Sequence, residues 1–124
     1  MVSINFHLEI KPGMNLEFMQ SIGSIIIEIR KLEGCIGIDF KQDPHDKDRF
    51  SLLLNGNYKK FIKKLLDSAE YNFLEGAITV LCKPPTFEVT IENMIMRSDP
   101  EKNGNTSLKK RIMSKLDHKL HIGD

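Results

Sequence analysis

Cysteine is scarce: the 124 residues contain only Cys35 and Cys82. Two are too few for a disulfide framework, and neither sits in a Cys-x-x-Cys or a mixed Cys/His metal spacing. A reducing, cytoplasmic setting is therefore expected. Long apolar runs are missing as well. Nothing approaches the roughly 20 residues that cross a bilayer, so no membrane association is expected. Met1 to Gly13 alternates polar and apolar side chains without a basic leader or a continuous apolar stretch, so no secretory signal is expected either. An excess of one charge is lacking too, with 18 Lys and Arg against 17 Asp and Glu. That balance argues against a nucleic-acid partner, because phosphate binding needs a clustered surplus of cations.

What is present suits one globular domain. A chain of 124 residues that is 40% hydrophobic can bury a core without covalent staples. Val2, Ile4, Phe6, Leu8 and Ile10 alternate with polar residues, the period of two that a strand with one buried face requires. Lys11-Pro12-Gly13 ends that strand. From an N-cap at Asn15, Phe18, Met19, Ile22, Ile25, Ile26, Ile29 and Leu32 recur at helical spacing until Gly34. Ile36, Ile38 and Phe40 then alternate, residues 42–48 are dense in turn formers, and Phe50, Leu52 and Leu54 resume, which predicts a β-hairpin. A second helix capped by Asn57 turns Phe61, Ile62, Leu65 and Leu66 inward and Lys59, Lys60, Lys63 and Lys64 outward, and Asp67-Ser68 bends it. Phe73, Leu74, Ala77, Ile78 and Leu81 carry the helix on to Pro84-Pro85, before a last strand with Phe87, Val89 and Ile91 on one face.

The order β-α-β-β-α-β predicts an α+β, ferredoxin-like sandwich over residues 1–97, with the first and third strands central and both helices on one face. Residues 98–124 are expected to form a linker and a basic amphipathic C-terminal helix. Lys109, Lys110, Arg111, Lys115 and Lys119 flank an apolar stripe of Leu108, Ile112, Leu116 and Leu120. Packing across a dimer is the plainest use of that stripe.

Lys11-Pro12-Gly13, Glu33-Gly34-Cys35-Ile36-Gly37 and Leu66-Asp67-Ser68-Ala69-Glu70-Tyr71, in this element order, resemble the antibiotic-biosynthesis-monooxygenase (ABM) family over Val2 to Arg97. The resemblance implies a dimeric α+β barrel in which two sheets pack face to face. It also implies cofactor-independent oxygenation of a small aromatic or quinone-type substrate, as in part of the family; another part degrades haem. Several departures bear on that implication. Where the family often has glutamate, any residue and tryptophan at the end of the third strand, this chain has Leu54, Asn55 and Gly56. Leu65 stands where a pocket histidine, the haem ligand of the haem-degrading branch, is often found. Phe6 takes the helix-facing place of a pocket asparagine, with Asn5 on the opposite face. The family's known sites therefore do not carry over, and no cofactor is expected.

Two candidate sites remain. On the sheet face away from the helices, His7, Asn5, Asp39 and Ser51 are expected to gather. A His beside an Asp and a Ser can do acid-base or nucleophilic work, although a hydrogen-bonded polar layer between two sheets of a homodimer explains the same residues. On the helix side, Phe6, Ile38, Phe40, Leu54, Phe61 and Leu65 either line a pocket for a small apolar ligand or fill the core, and their size and type suit core. His45 among Asp43, Asp46 and Asp48 is expected to be a solvated turn, not a metal site. The alternative to an enzyme is a ligand-binding or regulatory module.

Overall fold

A computed structural model describes residues 1–98 and 107–123, with side chains described through residue 117. Its elements are β1 (Val2–Glu9), α1 (Asn15–Arg30), β2 (Cys35–Gln42), β3 (Arg49–Gly56), α2 (Lys59–Leu66), α3 (Ala69–Leu81), β4 (Thr86–Ile91), β5 (Met94–Arg97) and α4 (Leu108–Gly123). The strands form one five-stranded antiparallel sheet in the order β2-β3-β1-β4-β5. This is the ferredoxin-like α+β fold expected from the alternating stripes, with β1 and β3 inside.

Period-two alternation sorts each strand between two environments. Val2, Ile4, Phe6 and Leu8 of β1, Phe50, Leu52 and Leu54 of β3, and Phe87, Val89 and Ile91 of β4 all point to the helices and are buried. Phe18, Ile22, Ile26 and Ile29 of α1 and Leu74, Ile78 and Leu81 of α3 close over them. Each such side chain contributes about 1.5–3 kcal/mol by leaving water. Gly56 and Gly34 flank Phe61: a Cβ at Gly56 would lie 2.0 Å from the ring, and Gly34 combines a 2.9 Å approach with a φ of +94°. The ring can sit there only because both positions lack a side chain.

Several local expectations shift. Asn15 is the first residue of α1 and Met14 holds the cap position, where no side chain bonds to the helix. The helix stops at Arg30, so Gly34 serves the turn into β2 and not the helix end. A bulge between Cys35 and Gly37 throws Ile36 out of the predicted stripe, leaving it 52% exposed. Tyr58, not Asn57, precedes α2. At Asp67-Ser68 the helix breaks outright. The Ser68 hydroxyl donates to the Leu65 carbonyl (2.6 Å) and accepts from the Tyr71 N–H (3.1 Å), ending one helix and capping the next. That new start rotates α3, so Tyr71 is buried and Phe73 faces water.

Two elements depart further from expectation. β5 adds a fifth strand that no alternating stripe announces. α4 packs on its own chain: Leu108, Ile112 and Leu116 are buried against β4 and α2. The Arg111 guanidinium lies over the Phe87 ring, 5.4 Å from its centroid. Lys109 pairs with Asp67 (2.7 Å) and Lys63 with Asp117 (3.3 Å), while the Lys109 N–H donates to Glu75 Oε1 (2.7 Å). The expected linker at 99–105 and the side chain of Leu120 lie outside the described residues.

Candidate functional site

The helix side of the sheet holds core. Phe6, Ile38, Leu54, Phe61 and Leu65 are buried, and Phe40 packs against them half-buried, stacked on Phe50 with centroids 4.9 Å apart. Phe61 and Leu65 also border an outer cleft of about 470 Å³ beside Tyr58 and Lys60. Among the described residues no polar or charged residue is buried. The Tyr71 hydroxyl is nonetheless buried, beside Glu75. Burial first, and then the Glu75 charge, raise its pKa.

The opposite face carries the polar residues. Antiparallel pairing places Lys41 opposite Ser51, Ser51 opposite His7, and His7 opposite Thr86, a row that crosses four strands. One row along, Asp39 faces Leu53, Leu53 faces Asn5, and Asn5 faces Glu88. The structure thus brings His7, Ser51 and Asn5 together, while Asp39 lies on β2, beyond Leu53. The carboxylate beside His7 is instead Glu88, reaching diagonally from β4 with Oε2 2.5 Å from Nε2. Both side chains keep contact with water, at 45% and 28% exposure. Alternation in β4 puts Glu88 on this face, but only the β1–β4 register makes it the partner of His7. The Asn5 Oδ1 is buried with no hydrogen-bond partner, and the Ser3 hydroxyl donates to Asn55 Oδ1 (2.6 Å).

Below the row, the β2–β3 loop and the segment before β4 wall off a cavity of about 650 Å³ that includes His7, Ser51 and Thr86. Lys41, Arg49 and Lys83 line it as well, and composition gave no sign of them. Glu9 accepts from Arg49 (3.1 Å) and Lys83 (2.5 Å), tying β1 to both walls.

The remaining chemically capable residues do not form a centre. Burial raises the Cys35 thiol pKa and pushes Cys82 up to about 11, so neither is a ready thiolate at neutral pH. Asp43 accepts from the His45 and Asp46 N–H groups, which makes the His45 loop a side-chain-braced turn. Among the described residues no group of three His, Cys, Asp or Glu could hold a metal ion, and no helix is long and apolar enough to cross a membrane.

No family model matches the chain, and no curated protein does. Solved structures do. A conserved protein from Methanosarcina mazei Go1 is similar with a TM-score of 0.68 and 19% identity, over 72% of this chain and 89% of that one. A proposed antibiotic biosynthesis monooxygenase from Nitrosomonas europaea gives 0.68 and 15%, over 73% and 97%. Another from Deinococcus radiodurans gives 0.67 and 11%, over 82% and 100%. At such identities the likeness establishes the fold, which is ABM-like. Each neighbour is matched almost whole while this chain keeps residues to spare.

Proposed function

We propose that the chain is an ABM-like homodimer, with outer sheet faces turned together, that acts as a cofactor-independent monooxygenase on a small aromatic or quinone-type substrate in the cytoplasm. The observation that carries this is the His7–Glu88 pair at the cavity beside Ser51 and Thr86. With its Nε2 proton donated to Glu88, His7 keeps a lone pair on Nδ1 and can take the proton of a ring hydroxyl. The resulting electron-rich anion can reduce oxygen directly. The balance is one hydroxyarene and one O₂ giving one quinone and one water. Sheet-to-sheet pairing is supported by half-buried Leu53 and by Ile95, which is 53% exposed on this face.

Oxygen uptake with a panel of hydroquinones under air, with haem as a comparison substrate, tests the activity. Turnover of a quinol is expected to fall on the order of 100-fold in His7→Gln; no uptake across the panel would sink the oxygenase. Sedimentation of wild type and His7→Ala tests the dimer, and a monomer at micromolar concentration counts against it. The second reading, a ligand-binding or regulatory module without turnover, draws on Leu54 and Leu65, which are buried apolar residues at positions where the resemblance implies polar ones. An apolar ligand retained in native mass spectrometry, with no oxygen uptake, would favour it.

A further inference from the structure

The cavity below His7 has a charge pattern that acid-base chemistry alone does not need. Three cations, Lys41, Arg49 and Lys83, line it against two carboxylates, Glu9 and Asp43. Arg49 and Lys83 are engaged, both on Glu9, and Arg49 also meets Asp46 (3.1 Å). Asp43 is drawn into its turn by two N–H groups. Among the described residues, Lys41 has no carboxylate within ion-pair distance. It stands at the head of the row that continues through Ser51 to His7. Strands lie about 4.8 Å apart, so Lys41 and His7 are separated at the backbone by roughly 10 Å. A single ring with substituents at opposite ends, met by the reach of a lysine, spans that gap. Phe50, Pro44 and Pro84 add apolar wall, and about 650 Å³ is the size of a small-molecule pocket.

We propose that this cavity binds an aromatic hydroxy-carboxylate, with its carboxylate on Lys41 and the Ser51 hydroxyl and its ring hydroxyl at His7. With Arg49 and Lys83 held on carboxylates, Lys41 is the lining cation left to meet a ligand, and one such cation matches a single carboxylate better than a phosphate dianion. The proposal rests on the reading above in placing the ring hydroxyl at His7, and it adds the anionic end of the ligand.

Calorimetric titration of the full-length protein with 4-hydroxybenzoate, 4-hydroxybenzamide and benzoate tests it. The hydroxybenzoate is expected to bind best. Lys41→Met should weaken it roughly tenfold or more, the range of a charge-assisted hydrogen bond, and leave the amide unchanged. His7→Gln should weaken the hydroxybenzoate and not benzoate. Lys41 is exposed, so an unchanged melting temperature confirms that the variant is folded. No binding of 4-hydroxybenzoate to the wild type, or an equal loss for acid and amide in Lys41→Met, overturns the proposal. Oxygen uptake on neutral quinols without carboxylate binding would sink the ligand class and spare the oxygenase. Lys41-dependent binding without uptake would do the reverse.

Discussion

Along β1, Ile4, Phe6 and Leu8 face the helices at no more than 2% exposure, while Ser3, Asn5 and His7, each one residue out of step, face away into a partly wet polar layer. The two sides of one sheet are thus opposite solvents. On the helix side, α1, α3 and α4 complete a dry core, and α4 spends its apolar stripe covering β4. On the outer side, hydroxyls, a histidine and ion pairs share a cavity. The contrast bears on where a reaction can occur. Proton transfer needs an acid-base group within reach of a substrate, and the outer side holds a histidine, His7, that touches both solvent and a carboxylate.

Substitutions can break that contrast in graded steps. Phe6→Ala, on the dry side, should cost about 3–5 kcal/mol in urea unfolding, because the void cannot refill from rigid neighbours. Gly56→Ala should cost about 1–3 kcal/mol by driving a methyl into Phe61. Phe61→Leu should recover part of that loss in a double-mutant cycle; purely additive costs would mean that the ring does not set the requirement.

Alkaline pH probes the same dryness. The Cys82 thiol is raised from 9.0 to about 11 in the fold, so the unfolded chain releases this proton first. Stability from this group is complete below pH 9 and is lost as pH climbs towards 11, on the order of 2 kcal/mol. Tyr71 acts in the same direction. The melting temperature should therefore fall over that window, and less steeply in Cys82→Ala. A flat profile in the wild type would show that water reaches the thiol. The smallest effect is expected on the outer face. Asn5→Ala removes a carbonyl that pairs with nothing, and monomer unfolding should shift by less than about 0.5 kcal/mol.

The sheet was largely legible because a strand with one dry face writes its register as alternation, and β1, β3 and β4 obey it without exception. Features that depend on events between elements were not. Ile36 fits the stripe of β2, yet a bulge opposite Gly56 turns it out. Phe73 fits a continuous helix, yet the Ser68 cap restarts the helical phase and selects Tyr71. β5 has four residues and needs β4 for its hydrogen bonds, so its own sequence carries little signal. For the outer face, alternation was enough to collect His7, Asn5 and Ser51. It named Asp39 as the carboxylate beside His7 and missed Glu88, because that choice depends on how β1 and β4 are paired. The lining cations come from strand ends and connecting segments, where periodicity says nothing.

The bulge at Ile36 has a consequence for crowding. Open sheets are prone to lengthen sideways, one molecule's border strand templating the next, until they precipitate. Here the β2 border is kinked by the bulge and the β5 border is only four residues long, ending in Arg97. Neither offers a straight, uncharged rail. Growth at the margins is discouraged at both ends.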